Sequence, residues 1–167
     1  MTVKELTAPA GFRFELLPDT PEAFAFSFLA KVEAMGPHIR ARWPWDEEFQ
    51  KELHRRRLSE KPFYIIQHND AQLGTLSWMR QPDHFRFGEF YLFERYQGQG
   101  HGTRLLTHVL TLADAAMLPV RLEYLKWNPV GRLYRRHGFL QTHENDIHVF
   151  LERPCVMPRE VQTTWRA

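Results

Sequence analysis

The sequence predicts a single mixed α/β domain built around one sheet, and three observations support this prediction. The chain has 167 residues, which is the usual length of one domain. Strand-like and helix-like segments follow one another in the order β-α-α-β-β-β-α-β-α-β-β. Hydrophobic residues make up 43% of the chain and charged residues 25%, with 13 Phe and 5 Trp to fill a core. A wholly disordered or collagen-like chain is therefore excluded.

The first strand is expected at Phe12–Leu17, and a helix follows it. Thr20 as N-cap and Pro21 at the first helical position predict where that helix begins. Gly36-Pro37 is expected to end it. Its apolar stripe recurs at intervals of three or four residues, at Phe24, Phe28, Val32 and Met35.

A second helix is predicted from Asp46, its candidate N-cap, to about Ser59. Phe49 and Leu53 are expected on its inner face because they lie four residues apart. Pro62 limits how far this helix can continue.

Three strands are predicted next. Phe63–Gln67 and Gln72–Met79 are separated by the turn residues Asn69-Asp70, which indicates a hairpin. Phe85–Phe93 carries aromatic residues on both faces, which is typical of a central strand covered on both sides.

The last third alternates helices and strands and ends in a tail. Gly138 is a plausible glycine at the end of the second of these helices. The tail, residues 153–167, contains two prolines and is expected to be poorly ordered. The predicted elements are a helix after Gly102 to about Met117, a strand Val120–Leu125, a helix Asn128–His137, and strands Phe139–Thr142 and Ile147–Leu151 around the turn His143–Asp146.

Charge, cysteine content and hydropathy exclude several classes of protein. A net charge of +2 is too small to indicate a nucleic-acid binder. The single cysteine, Cys155, excludes an intramolecular disulfide and a four-cysteine zinc site. The longest apolar stretch, Ala23–Ala30, is far too short to cross a bilayer, and Met1–Ala10 lacks the apolar core of a secretory signal. The 9 histidines show no tight ligand spacing, so no metal is expected, and a cytoplasmic protein without a membrane partner is predicted.

Three glycines at alternate positions, Gly98, Gly100 and Gly102, lie between a predicted strand and a predicted helix. Backbone N–H groups at such a turn lack carbonyl partners, and the helix dipole adds positive potential, so the turn suits a pyrophosphate. A tight turn without a ligand is the alternative. The spacing G-x-G-x-G disfavours a Rossmann loop, and no Lys-Ser or Lys-Thr follows as in a nucleotide-hydrolysing P-loop.

Two motifs resemble those of the GNAT N-acetyltransferase superfamily. Gln97–Gly102 (QGQGHG) matches its Q/R-x-x-G-x-G/A acyl-CoA loop, and Asn128–Phe139 (NPVGRLYRRHGF) is similar to its N-P-x-x-R-x-Y-x-x-x-G-F motif. The order of elements also fits from about Phe12 to Glu152. The resemblance implies a mixed, mostly antiparallel sheet flanked by helices, in an acetyltransferase domain spanning residues 1–152.

The resemblance also implies how acetyl-CoA is bound. Main-chain groups of the central strand would pair with the pantetheine arm, and one N–H would polarise the thioester carbonyl. Asn128 would contact the cofactor arm, and Arg104, Arg132 or Arg136 could reach phosphate. The implied main-chain contacts are Tyr91, Leu92 and Phe93 for the arm and Gly98, Gln99, Gly100, His101, Gly102 and Thr103 for the pyrophosphate.

By the same resemblance, Tyr134 donates a proton to the leaving CoA thiolate, since a phenol stays protonated at neutral pH. Packing on the sheet is the alternative role for this tyrosine. Glu89 is the leading candidate for the base that activates the amine, and it would share a strand face with Tyr91 and Phe93. A structural ion pair is the alternative role for Glu89, and His84 and Glu94 are alternative bases.

The acceptor site is expected beside the connection between the first two helices. Trp43, Trp45, Asp46 and Glu47 would suit an amine with an apolar portion, because acids attract a cation and indoles stack on it. Helix capping explains the two acids equally well. The turn His143–Asp146 would form the opposite rim.

The sequence thus predicts an acetyl-CoA-dependent N-acetyltransferase that acts by direct transfer on a small-molecule amine or a peptide. A non-catalytic acyl-CoA sensor and a nucleotide-binding or structural domain are the alternatives. The acceptor and the oligomeric state are left open, and exposed sheet edges together with the aromatic content are compatible with a homodimer.

Overall fold

The computed structural model describes residues 6–157, which form seven strands in one sheet and four α-helices. Along the sheet the strands follow the order β1-β2-β3-β4-β5-β7-β6, and every neighbouring pair is antiparallel except β4 and β5. The mixed, mostly antiparallel sheet is therefore as predicted. The elements are β1 Phe12–Leu16, α1 Pro21–Arg40, α2 Glu47–Glu60, β2 Phe63–His68, β3 Ala71–Arg80, β4 Phe85–Leu92, α3 His101–Ala115, β5 Val120–Leu125, α4 Gly131–Arg136, β6 Leu140–Glu144 and β7 His148–Arg153.

Helices cover both faces of the sheet. Successive strand residues point to opposite faces, so Tyr64 and Ile66 of β2 face one side and Phe63 faces the other. Tyr64 and Ile66 belong to a core shared with Leu105 and Leu106 of α3. On the other face, Phe63 packs edge-on against His54 of α2, with ring centroids 5.5 Å apart.

The sheet opens between its two parallel strands. Only Phe85 and Arg86 of β4 pair with β5, opposite Val120 and Arg121, and the two strands then diverge. The rest of β4 keeps its pairing with β3 but has no partner on its other side. A cleft therefore begins in the middle of the sheet, where main-chain groups of β4 are free to bind.

A bulge interrupts β4 beside this cleft. Thr75 pairs with Tyr91 and Ser77 with Gly88, so β4 has one residue more than β3 over this stretch. Glu89 lies in the bulge at φ +47°, a left-handed conformation that is uncommon for glutamate. The Thr75 hydroxyl donates a hydrogen bond of 2.9 Å to the Glu89 carbonyl and holds the bulge in place.

The prediction that Gly36-Pro37 ends the first helix is wrong. Helix α1 runs to Arg40 with Pro37 inside it. The proline removes one main-chain hydrogen bond, but Ile39 beyond it is buried and the indole N–H of Trp127 donates to the His38 carbonyl at 2.7 Å. Tertiary contacts of the last turn thus outweigh the local preference to stop.

The prediction for the inner face of α2 is also wrong. Gln50 and His54 are its buried residues, whereas Phe49 is 59% exposed. Phe49 and Leu53 instead line a cavity described below. The helix begins where predicted, because the Asp46 carboxylate accepts a hydrogen bond of 3.0 Å from the Phe49 N–H.

Other predicted elements agree with the structure to within a few residues. Asn69 and Asp70 have positive φ at the tip of the β2–β3 hairpin, and Gly138 has φ +89° after α4. Helix α4 starts later than predicted because the Asn128 side chain accepts a hydrogen bond from the Val130 N–H at 3.0 Å, which keeps 128–130 in a turn.

The predicted tail begins later than expected. Arg153 lies in β7 rather than in the tail, and residues 158–167 of the predicted tail lie outside the described part of the chain. Within residues 6–157, no helix is both long and apolar enough to span a membrane.

Replacing Gly74 with alanine is expected to destabilise the fold by about 3 kcal/mol or more. Gly74 has φ +148°, and a Cβ there would overlap the Tyr91 carbonyl oxygen across the β3–β4 pair. Thermal unfolding measured by circular dichroism tests this prediction. Gly88→Ala is the matched control, because its new Cβ would meet only the Lys61 Nζ, at 3.9 Å. Equal stability of the two variants would contradict the prediction.

Candidate active site

A cavity of about 550 Å³ lies at the mouth of the cleft, where the open half of β4 faces β5. Its size is typical of small-molecule sites. Helix α1, helix α2, strands β4 and β5 and the β6–β7 hairpin all contribute side chains to its wall. The site is therefore formed by segments that are far apart in the sequence.

The glycine turn lies at the start of α3, after the open end of β4. Gly98 and Gly100 have φ of +70° and +83°, and a Cβ at either position would meet nothing within 4 Å. Helix α3 has no side-chain cap and no acidic residue in its first turn. Within the described chain, the main-chain N–H groups of residues 98–103 have no acceptor. Open space, free donors and the helix dipole together suit a phosphate group.

Of the three predicted pantetheine contacts, Leu92 has its N–H directed to the cleft. The Phe93 N–H donates to the Leu73 carbonyl at 2.9 Å, so it points toward β3. Because successive N–H groups of a strand alternate in direction, the Leu92 N–H points toward the gap with β5, and that of Tyr91 points back to β3. The Leu92 carbonyl, which faces the same gap, accepts a hydrogen bond of 2.9 Å from the Gln97 side chain.

Tyr134 lies on α4 in an aromatic cluster below the cleft. It is 6% exposed, and its ring centroid is 5.7 Å from that of Phe139, 6.1 Å from that of Tyr124 and 6.5 Å from that of Phe87. Burial, with a smaller contribution from Tyr124, raises the pKa of the Tyr134 phenol well above its usual value. The phenol is therefore protonated throughout the physiological range, as a proton donor must be.

Gly131 allows Tyr124 to approach the start of α4. A Cβ at Gly131 would lie 2.6 Å from Cζ of the Tyr124 ring. Position 131, within the second motif, thus requires glycine because Tyr124 packs closely against it. The motif spacing alone does not predict this contact.

Glu89 is the centre of a buried group of polar side chains. Its carboxylate lies 2.8 Å from Lys61 Nζ and 3.5 Å from Arg57 Nη1, and it accepts a hydrogen bond of 2.6 Å from the Tyr91 hydroxyl. Burial works to raise the pKa of Glu89, but the charge and hydrogen bond of Lys61, with Tyr91 and Arg57, outweigh it and leave the pKa lowered. Glu89 is therefore ionised at neutral pH, and it shares a face with Tyr91 as predicted.

Of the four predicted acceptor residues, one lines the cavity and three do not. Trp43 lines the cavity and packs on Trp127, with ring centroids 5.2 Å apart. The other three, Trp45, Asp46 and Glu47, lie outside its lining. The indole N–H of Trp45 donates to the Glu47 carboxylate at 2.7 Å, and Asp46 caps α2. On the opposite rim the lining residues are Ile147 and His148, next to the predicted turn His143–Asp146.

Two predicted cofactor residues have structural partners. Arg104 donates to the Ala10 carbonyl at 2.9 Å, and its guanidinium lies 4.9 Å from the centre of the Phe12 ring. The side-chain oxygen of Asn128 accepts a hydrogen bond from the Val130 N–H and holds the turn before α4. The side chain of His101 lies against Phe12 and His68, so only its main chain faces the glycine turn.

Sequence reasoning missed most of the polar side chains of the cavity wall, among them Lys31, Gln50 and His148. A signal for Lys31 was present, because it lies three residues after Phe28 and four before Met35 on the apolar stripe of α1. Gln50 and His148 carry no comparable signal. Among residues 6–157, no group of three or more His, Cys, Asp or Glu side chains is placed to hold a metal ion.

The sheet opens between its two parallel strands, β4 carries a bulge, and a glycine turn after β4 leads into α3, which is the arrangement that the resemblance to acetyl-CoA-dependent acetyltransferases implied. A family model described as an acetyltransferase (GNAT) domain matches residues 59–141, about half of the chain. The matched range contains the bulge, the glycine turn and Tyr134. The chain therefore belongs to the GNAT acetyltransferase family.

Solved structures show the same fold at low sequence identity. The PaiA N-acetyltransferase of Thermoplasma acidophilum, in complex with coenzyme A, has a TM-score of 0.64 and 15% identity over 85% of this chain and 99% of its own. A GNAT family acetyltransferase of Elizabethkingia anophelis with acetyl-CoA bound has a TM-score of 0.60 and 17% identity over 87% and 99%. The ribosomal-protein-S18-alanine N-acetyltransferase of Escherichia coli has a TM-score of 0.61 and 15% identity over 90% and 97%. Comparison with curated protein sequences finds no match.

Proposed function

We propose that this protein is an N-acetyltransferase that moves the acetyl group of acetyl-CoA directly to a primary amine held in the cavity. The observation that carries the proposal is the continuity of two main-chain features. The free N–H groups of residues 98–103 lead into the open edge of β4, and that edge borders the cavity. A pyrophosphate, an extended arm and an acyl acceptor would lie along this path in that order.

The fit to the donor rests on space and on unused hydrogen-bond donors. Gly98 and Gly100 allow phosphate oxygens to reach the backbone, since no Cβ and no neighbouring atom fills the turn. An extended arm alongside β4 would pair with main-chain groups as an added strand does. The Leu92 N–H is then the donor that polarises the thioester carbonyl as negative charge develops on its oxygen.

Tyr134 and Glu89 are the proposed acid and base. The amine nitrogen attacks the carbonyl carbon, a C–N bond forms as the C–S bond breaks, and Tyr134 donates its phenolic proton to the departing sulfur. Glu89 accepts the proton that the attacking amine loses, directly or through water. Its lowered pKa keeps the carboxylate ionised, and so able to accept a proton, at neutral pH, and also makes it a weaker base than an ordinary glutamate.

Titration of the purified protein with acetyl-CoA by calorimetry, with ADP and desulfo-CoA alongside, tests the proposal. Micromolar binding of acetyl-CoA with much weaker binding of ADP would support pairing of the arm with β4, and release of free thiol on adding amines would support transfer. If none of the three ligands binds, the glycine turn is a strand-to-helix connection that holds no ligand. Binding of acetyl-CoA without thiol release on any amine would favour the acyl-CoA sensor.

Substitution of Gly100 tests the anion site within the same assay. Asparagine and aspartate have nearly the same shape, and both tolerate positive φ, so the two variants differ mainly in charge. We expect Gly100→Asp to weaken acetyl-CoA binding at least about tenfold more than Gly100→Asn, because the carboxylate would lie where the phosphates bind. Equal effects of the two substitutions would exclude the turn as the pyrophosphate site.

A further inference from the structure

The cavity wall carries more positive than negative charge. Its two carboxylates, Glu89 and Glu123, are each held by a cation, at 2.8 Å from Lys61 and 2.7 Å from Arg86. The cationic side chains number four, and they are Lys31, Arg57, Lys61 and Arg86. His148, also in the wall, has a pKa lowered by burial and adds no charge at neutral pH. After these two pairings, the wall has two further cations, Lys31 and Arg57, and no third carboxylate to neutralise them.

Lys31 is the more deeply buried of these two cations. It is 6% exposed, and within the described chain its ammonium has no carboxylate within 4 Å. Burial lowers the pKa of Lys31 to about 8, with Glu89 opposing and Arg57 assisting the shift, so the ammonium still carries its proton at pH 7. A buried cation without a partner is costly to maintain, and an anionic group on a ligand would remove that cost.

A second polar group in the wall also lacks a partner. The side-chain oxygen of Gln50 is fully buried, and no donor among residues 6–157 bonds to it. An unsatisfied buried acceptor is rare in native proteins, but this oxygen is closed off from the cavity and offers a ligand no contact. The wall thus presents one site for an anion, at Lys31.

The remainder of the wall is largely apolar. Met35 and Ile39 of α1, Phe49 and Leu53 of α2 and Ile147 of the β6–β7 hairpin face the same space. Phe49 is exposed to solvent when the cavity is empty, and burial against a ligand would stabilise the complex through the hydrophobic effect. A ligand matching the wall therefore has an apolar group as well as an anion.

We infer that the acceptor is a hydrophobic amino acid, whose carboxylate pairs with Lys31 and Arg57 and whose side chain fills the apolar part of the cavity. The inference rests on the proposed function and names the substrate class of that same site. It replaces the expectation of an amine with an apolar portion held by Asp46 and Glu47, since neither acid lines the cavity.

Matched acceptors test the inference on the wild-type protein. L-phenylalanine is compared with phenethylamine, which lacks only the carboxylate, and with L-phenylalaninamide, which keeps the carbonyl but not the charge. L-leucine and isoamylamine form a second pair. With thiol release as readout, kcat/KM is expected to be at least about tenfold higher for each amino acid than for its analogue without the carboxylate, because a site built for a polar group rejects an analogue that lacks it.

Lys31→Met tests the residue assigned to the carboxylate, with Lys51→Met as control. Lys51 also lies on a helix but is only partly buried, pairs with Glu47 at 3.6 Å and does not line the cavity. Lys31→Met is expected to raise KM for L-phenylalanine at least about tenfold and to leave KM for phenethylamine within about twofold, so that the preference for the amino acid is lost. Lys31→Arg should restore part of the preference.

The possible outcomes separate this inference from the proposed function. Thiol release that is as fast with phenethylamine as with phenylalanine would overturn the inference and leave the acetyltransferase proposal intact. Thiol release with peptides alone would do the same, because it would assign a different acceptor. Absence of thiol release with every amine, despite acetyl-CoA binding, would overturn both. A wild-type preference that Lys31→Met leaves unchanged would remove Lys31 as the carboxylate site.

Discussion

Replacing Tyr134 with phenylalanine is expected to lower kcat for acetyl transfer by about 100-fold, the usual contribution of a well-placed general acid. The phenylalanine ring keeps the contacts with Phe87, Tyr124 and Phe139, so folding and acetyl-CoA binding should be retained. The free energy of unfolding should stay within about 1 kcal/mol of wild type, because the substitution removes one hydroxyl and leaves the ring contacts in place. Steady-state thiol release and calorimetric titration on the same protein measure both effects.

Tyr64→Phe is the matched control for this substitution. Tyr64 is a buried tyrosine of β2, 7% exposed, and it does not line the cavity. The same hydroxyl is lost, but kcat should be unchanged. A Tyr134→Phe enzyme with wild-type kcat would show that the tyrosine only packs on the sheet.

Replacing Glu89 with glutamine is expected to reduce both stability and activity. The substitution leaves Lys61 and Arg57 without their carboxylate, and breaking a buried ion pair in this way typically costs about 3 kcal/mol. Loss of the proposed base should lower kcat by at least about tenfold. Glu152→Gln is the control, since Glu152 pairs with Arg121 at 2.6 Å and both side chains are partly exposed, and removing such a pair typically costs less than about 1 kcal/mol.

The pH dependence of the Glu89→Gln effect has a definite sign. The pKa of Glu89 is lowered in the folded protein from its ordinary value of 4.5, so the folded state favours the ionised carboxylate. The stability that Glu89 contributes is therefore fully present above pH 4.5 and is lost as the pH falls through the folded-state pKa. The difference in Tm between wild type and Glu89→Gln should be largest near neutral pH and should shrink in acid.

Two measurements would contradict these expectations for Glu89. A Tm difference that stays constant from pH 7 to acid would show that its charge does not stabilise the fold. A pH–rate profile that Glu89→Gln leaves unaltered would remove Glu89 as the base and leave it a structural ion-pair partner. His148, neutral and in the cavity wall, would then be the next candidate for proton acceptance.

Local signals in the sequence predict most of the fold because they act within a few residues. Thr20 and Asp46 accept N–H groups three residues ahead of them, at 3.1 Å and 3.0 Å, so each cap can be recognised without knowledge of the remaining chain. Asn69-Asp70 specifies the hairpin turn in the same way. The glycine turn and the position of Tyr134 follow from two short motifs, each contained in one segment.

Contacts between residues far apart in the sequence decide where helix α1 ends and which face of helix α2 is buried. Helix α1 passes through Pro37 because Ile39 is buried and Trp127 caps the His38 carbonyl, a contact between residues far apart in the sequence. Helix α2 turns Phe49 toward the cavity because His54, buried between α1 and β2, hydrogen-bonds Ser27 at 2.8 Å. A pattern of apolar residues on one helix contains no information about either contact.

The sequence by itself determined the class of fold, the order of its elements, the glycine turn and the motif tyrosine, because each depends on residues close together in the chain. Only the tertiary structure decided which side chains surround the acceptor. The bulge at Glu89, the divergence of β4 from β5 and the meeting of Lys31, Gln50 and Arg57 arise from strand register and helix packing. The charge of the cavity, and with it the proposed class of acceptor, depends on which distant residues that packing brings together.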